Sequence, residues 1–459
     1  MRTYLLNLWD ALRASYWFVP SLFALSALFL SFALPVLDSV VADSSLRLPG
    51  WILTTTDTAR STLSAMAGAM LTVTGTVFSI TIVTLSLTSQ QFGPRLLRRF
   101  MYDLATQVTL GVFLSTGLYC LLLLRAVEYQ NDGTSVPHLS ICAAVAFSVV
   151  SMALLIFFIH HVAMLIQAPH VVAAVAHDLN DAIDRLFPEK IGDPADREDL
   201  YHRGREQEER LVDNGVSLPS RHVGYVQAID SEALENVASK HDCVITLHAR
   251  PGDFVARDFP IADARFREER ELEDSDREEL TTVLNDALIV GRRRTPRQDV
   301  ECAVDELVEV AVRSLSAGIN DPFTAVNCID HLGSALSRLA RRKLPVPYRW
   351  DDDGRLCVIF NPVGFADVLD AALNQIRQYG RDSVAVTIRL LEASAVIARQ
   401  IQSGRDRDAL LEHASMTLRL SESFKEEHDR REVQERYDRV TALLDDPAGN
   451  ARAPAHGLK

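Results

Sequence analysis

Hydroxyl side chains recur through SAMAGAMLTVTGTVFSITIVTLSLTSQQ, at Thr72, Thr74, Thr76, Ser79, Thr81, Thr84, Ser86 and Thr88. On a helix turning about 100° per residue, Thr72, Thr76, Ser79, Ser86 and Gln90 gather on one face. Thr74, Thr81, Thr84 and Thr88 gather near the opposite face. Uncharged hydroxyls and an amide can line a hydrated path across a membrane. They can also serve packing alone: Gly68, Thr72 and Thr76 form a small-xxx-small series that lets helix backbones approach. No acidic or basic residue lies in the run, so neither a proton relay nor a fixed-charge selectivity site is expected there.

A second candidate is Arg292, Arg293 and Arg294 before Thr295. Thr295-Pro296-Arg297-Gln298 fits a capping box with proline at the first helical position. Free backbone N–H groups and guanidinium groups there could hold an anion, a nucleotide phosphate or a lipid head group. The glycines of a phosphate loop are absent, and a solvated basic patch explains the same residues. SLSAGINDPFTA could be a ligand loop, but a glycine stop followed by an Asp321 cap and Pro322 accounts for each residue. His160, His161, His170 and His177 cluster without a carboxylate at metal spacing, so interfacial histidines are expected rather than a metal site.

No G-x-S-x-G, Walker loop, H-E-x-x-H, dinucleotide fingerprint or EF-hand loop occurs. No catalytic residue, cofactor or metal is therefore assigned, and the chain is read as a non-enzyme. The six cysteines, from Cys120 to Cys357, include no C-x-x-C pair, which argues against a disulfide framework or zinc site.

The elements that must position these residues fall into two regimes. From Trp17 to Gln167 the chain is mostly apolar, and from Ala168 it is rich in Arg, Asp and Glu. Four runs are long enough to cross a hydrocarbon core of about 30 Å: roughly 17–37, 64–88, 104–124 and 139–160. The first run is too long for a signal peptide and is read as retained. The expected fold class is mainly α: a four-helix transmembrane bundle followed by a cytoplasmic, mostly helical domain with a small β-containing subdomain. The expected divisions are a transmembrane domain over 1–167, a helical extension and charged linker over 168–222, and a β-containing subdomain over 223–268. A helical domain over 269–446 and a disordered tail over 447–459 follow.

In the β section GYVQAID and DCVITLHA read as strands around a short helix, and Arg250-Pro251-Gly252-Asp253 as a turn before the strand FVAR. Beyond it, helices are expected from Pro296, from Pro322 after the Asp321 cap and from Val363 after Asn361-Pro362. Later starts fall at Ser383, Arg407 and about Lys425, with a strand-like RLCVIF interrupting the series.

Charge orients the spans. The loop after the second span holds Arg95, Arg98 and Arg99, and the N-terminus holds Arg2 and Arg13. The other loops balance Arg47, Arg60 and Arg125 with Asp43, Asp57, Glu128 and Asp132. The bias places both termini in the cytoplasm. Gly93-Pro94 should end the second span. Arg95, Arg98 and Arg99 then alternate with Leu96, Leu97 and Phe100, as in a short amphipathic helix on the inner leaflet or a tight turn with anchoring arginines. The net charge of -14, from 61 acidic and 47 basic residues, argues against nucleic acid as a partner.

TSQQFGPRLLRRF after the second span, GYVQAID with RPGDFV, and RTPRQD followed by RSLSAGINDPFTA together resemble the bacterial predicted-membrane-protein family catalogued as domain of unknown function 2254. The resemblance covers nearly the whole chain. Where the family usually carries a serine near QQF, this chain carries Gly93, which loosens that turn. The resemblance implies a bacterial inner-membrane protein and supplies no activity or site residues.

The functional expectation is an oligomeric channel-like or transport protein with a cytoplasmic assembly or gating domain. The expected partners are the lipid bilayer, further copies of the chain, and an anionic ligand or lipid head group. The alternatives are a membrane-anchored ligand sensor or scaffold and, more weakly, a membrane-bound enzyme.

Overall fold

The computed structural model describes residues 16–42, 55–96, 100–101, 103–129, 137–187, 194–211, 215–267 and 273–445. The chain divides into two compact units, Met1–Val171 and Val172–Lys459.

Among the described residues, the first unit contains four helices long and apolar enough to cross a membrane. They are α1 (Phe18–Ala42), α2 (Thr56–Phe92), α3 (Leu104–Tyr129) and α4 (His138–Leu165). Helix α2 is longer than its apolar run. Its 37 residues, at about 1.5 Å each, span roughly 55 Å, well beyond the hydrocarbon core. Thr55 caps its start through Thr58 N, and Gly93 ends it at φ +106°, a conformation that glycine adopts without strain.

Helix α3 is the centre of the bundle. It packs against α1, α2 and α4, and half of its apolar stretch is buried against 17–22% for the other three. Gly111 lets α1 approach, since a Cβ there would lie 2.8 Å from the Phe23 ring. Tyr119, Cys120 and Leu123 meet Leu63, Ala67 and Ala144 in one cluster. Phe113 meets Val77 and Phe158 in a second. Packing of this kind holds spanning helices together where lipid removes the hydrophobic drive between them.

The second unit combines helices with two sheets. Its elements in order are α5 (Ala168–Leu186, which begins just before the division), α6 (Pro194–Glu209), β1 (Val216–Pro219), β2 (Gly224–Ile229) and α7 (Ser231–Lys240). They continue with β3 (Cys243–Leu247), β4 (Phe254–Val255), β5 (Pro260–Phe266), α8 (Asp274–Ala287) and β6 (Leu288–Gly291). Then come α9 (Val300–Ser314), α10 (Pro322–Leu339), β7 (Tyr348–Trp350) and β8 (Leu356–Ile359). The last four are α11 (Phe365–Tyr379), α12 (Val384–Ala398), α13 (Gly404–Leu420) and α14 (Glu427–Asp445).

The five-stranded sheet has the order β1-β5-β3-β8-β7, antiparallel except where β3 runs parallel to β8. The three-stranded sheet has the order β4-β2-β6, antiparallel throughout. The β structure is therefore not confined to a short run. RLCVIF is drawn in from about a hundred residues downstream as β8, and LIVG, within a stretch expected to be helical, forms β6. The short run Leu288–Gly291 pairs with β2 across a bulge, which its sequence alone does not announce.

Two expected helix starts are corrected. Thr295-Pro296-Arg297-Gln298 does not open a helix: residues 296–298 form a turn, and α9 starts at Val300 with Asp299 accepting from Cys302 N. The Gln298 amide instead pairs with both the N–H and the C=O of Ile229, which removes it from any capping box. Asn361-Pro362 likewise precedes the helix without starting it: α11 opens at Phe365, where Asp367 accepts from Gly364 N. Asp321 does cap α10, taking Phe323 N and Thr324 N with Pro322 in the first turn. Asn320 precedes it at φ +51°. Ser383 caps α12.

Candidate functional site

The hydroxyl-rich helix α2 places its two polar faces in different surroundings. Thr81, Thr84 and Thr88 are buried and Thr74 is half-buried. The opposite face, Thr72, Thr76, Ser79, Ser86 and Gln90, is exposed throughout. A Cβ built on Gly68 or Gly75 would meet nothing within 4 Å. Among the described residues, the small-xxx-small series therefore packs against no other helix.

The hydroxyl hydrogens of Thr72, Thr76 and Ser79 on this face are already committed. Thr72 Oγ1 donates to Gly68 O at 2.9 Å, Thr76 Oγ1 to Thr72 O at 3.0 Å and Ser79 Oγ to Gly75 O at 2.9 Å. Bonding to the carbonyl four residues back satisfies the donor without water. What remains directed outward is the hydroxyl lone pairs, so these three side chains present acceptors. The long helix makes this possible: its hydroxyls can serve their own backbone only while the i→i−4 geometry is unbroken, and no proline interrupts it, its two charges, Asp57 and Arg60, lying in the opening turns.

Buried polar groups at the two ends of the bundle were not singled out by sequence. Near one end, Asp38 of α1 accepts from Leu139 N at 2.8 Å, Ser140 N at 2.9 Å and Ser140 Oγ at 2.6 Å. It caps α4 from another helix, and Tyr119 of α3 donates to Ser140 O at 3.0 Å. Asp103 precedes α3 and accepts from Thr106 N at 2.9 Å and Thr106 Oγ1 at 2.5 Å. Its Oδ2 also takes His161 Nε2 at 2.9 Å. His161 thus has a carboxylate partner 58 residues away, which spacing along the chain does not reveal. The local signal for Asp103 is present, since D-L-A-T is a helix-capping pattern.

In the turn after α2, Arg95 is exposed while Leu96 and Phe100 are buried. Pro94–Leu96 form a turn, and Phe100 and Met101 are helical. Arg98 and Arg99 lie outside the described residues.

The arginine candidate is rearranged by the later start of α9. Arg294 does not face a helix N-terminus open to a ligand. Its Nε and Nη2 bind Asp299 at 2.7 and 2.9 Å, and its Nη1 binds Asp305 at 2.9 Å. Burial opposes the Arg294 charge, but the hydrogen bonds and charge of Asp299, with Asp305 behind it, raise its pKa above the ordinary arginine value. Arg250 extends the cluster to Glu301 at 3.0 Å and Asp367 at 3.4 Å. Burial raises Glu301, helped by the negative Asp299, against the lowering pull of Arg250. Gly252 makes room for this cluster: a Cβ there would stand 2.6 Å from Asp299 Oδ2. Arg292 and Arg293 remain exposed and Thr295 is half-buried, so the structure does not gather the four residues around one anion position. The carboxylates that claim Arg294 were legible as acidic residues but not as its partners.

Comparison with known proteins agrees with the architecture. An uncharacterized protein of Mycobacterium bovis and one of Mycobacterium tuberculosis are each 29% identical to this chain over 413 residues, covering 86% of it and 75% of the relative. No solved structure matches. The family of predicted membrane proteins designated DUF2254 matches residues 13–395, and with its four spanning helices and strand-containing helical domain the chain belongs to that family.

Proposed function

We propose that the chain works as a homo-oligomer in the bacterial inner membrane, with both termini in the cytoplasm. Its subunits meet around α2 and form a channel-like or transport path. The observation that carries this reading is the exposed face Thr72, Thr76, Ser79, Ser86 and Gln90, with Gly68 and Gly75 open beside it. Spanning helices bury such small and polar residues against neighbours, and among the described residues no neighbour within the chain covers them. A ring of these faces would present oxygen acceptors and no fixed charge, which suits small polar solutes or cations moving singly. The second unit would assemble or gate the ring. The reading assigns no chemical step to the chain.

The test combines cross-linking with flux. Cysteines placed at Thr76 and Ser79 should cross-link between subunits in native membranes. Proteoliposomes of the parent chain should pass ions or small polar solutes, and Thr76→Leu should block that passage. Absence of both cross-linking and flux would sink the proposal.

A second reading, a membrane-anchored sensor or scaffold, draws support from the committed hydroxyls. Because Thr72, Thr76 and Ser79 are satisfied by their own helix, the face can pack dry against another copy. Cross-linking without flux is its signature.

A further inference from the structure

In the three-stranded sheet β4-β2-β6, one side belongs to the core: Val226, Ile229, Val255 and Leu288 are buried there together. The other side is open, and it is apolar. Phe254 is 59% exposed and Ile289 44%, and Val223, just before β2, is 64% exposed. Half-buried Tyr225 lies directly opposite Phe254 in the ladder, with the rings edge to face at 5.2 Å. A one-sided antiparallel sheet ordinarily turns polar residues to water. An aromatic–aliphatic patch in that place marks an interaction surface.

The rim of the patch carries three arginines, with the exposed Asp258 beside one of them. Arg292 and Arg293 follow β6 at the end where Gly291 pairs with Tyr225. The Gln227 amide holds Arg293 O at 2.8 Å, which keeps this segment beside the open face. Arg257 follows β4 at the same end, next to exposed Phe259. All three guanidinium groups belong to exposed residues, in a chain whose net charge is -14. Basic residues concentrated around an apolar centre match an anionic lipid surface. The apolar side chains enter the head-group boundary and the arginines meet phosphate. Chain continuity with four spanning helices keeps such a surface at high effective concentration, so a weak patch suffices.

We infer that the open face of the β4-β2-β6 sheet docks on anionic lipid head groups of the membrane that holds the chain. Val223, Tyr225, Phe254 and Ile289 form the apolar centre, and Arg257, Arg292 and Arg293 form the rim.

The experiment uses the full chain reconstituted in bilayers of zwitterionic lipid alone or mixed with phosphatidylglycerol, each containing brominated acyl chains. Phe254→Trp, with the parent chain as background, should be quenched at least about twofold more in the anionic bilayer than in the zwitterionic one. Adding Arg257→Ala, Arg292→Ala and Arg293→Ala should abolish that difference, as should high salt. These positions are exposed, so folding is checked simply by an unchanged thermal transition. Emission that responds to neither bilayer overturns the inference. So does a blue shift that depends on protein density instead of lipid charge, which would make a second copy the occupant.

Discussion

The α2 face in the membrane unit is polar where lipid favours apolar side chains, whereas the β4-β2-β6 face in the second unit is apolar where water favours polar ones. Among the described residues, both faces are left uncovered by their own unit. The contrast shows that exposure has no fixed meaning until the solvent is named. In lipid, open glycines and hydroxyls ask for another helix. In water, an open aromatic patch asks for an apolar partner. Each unit is otherwise internally consistent, and in each a buried carboxylate closes a helix N-terminus: Asp38 for α4 and Asp299 for α9.

Those two carboxylates separate structural polar groups from the exposed faces. Asp299→Ala removes a helix cap and two hydrogen bonds of half-buried Arg294, leaving that cation with Asp305 and Glu301, so it should cost about 2–3 kcal/mol, read as a lowered thermal transition of the second unit. Asp38→Ala leaves no partially buried cation behind and should cost about 1–2 kcal/mol, read as earlier unfolding of the bundle in detergent. Equal losses would erase the distinction between a cap and a clamp.

The exposed faces should respond to association and not to folding. Gly75→Leu fills open space, so the monomer should tolerate it while subunit association weakens roughly fivefold, about 1 kcal/mol, measured by dilution-dependent cross-linking. Undiminished association would remove α2 from the interface. A smaller effect concerns His413, whose pKa burial lowers from the ordinary 6.5, against the raising pull of Asp370 at 2.8 Å. Its contribution to stability should be present above about pH 6.5 and lost as pH falls through the depressed value, because the unfolded chain binds the proton first. His413→Gln should flatten that part of the stability–pH curve. Phe254→Ser should change the thermal transition by less than about 0.5 kcal/mol while reducing the lipid response.

Much of this was legible because it is local. The four spans, the Gly93 stop, the Asp321 cap and the division of α2 hydroxyls between two faces follow from run length, φ preference and helical period. No helix starts at Thr295, because Gln298 is claimed by Ile229, 69 residues away, and because Asp299 offers a cap four residues after Thr295. The pairing of β6 with β2 was hidden for a similar reason, since four residues carry too little period to separate strand from helix.

By itself the sequence determined which segments can enter lipid, since the cost of burying charge and open backbone in hydrocarbon acts residue by residue. The tertiary structure decided which polar faces are used up inside the chain. It buried Thr81, Thr84 and Thr88, tied Asp103 to His161 and Arg294 to Asp299, and left the face of Thr72 and Thr76 open. Such assignments depend on which distant groups arrive together, a property of packing that no local spacing encodes.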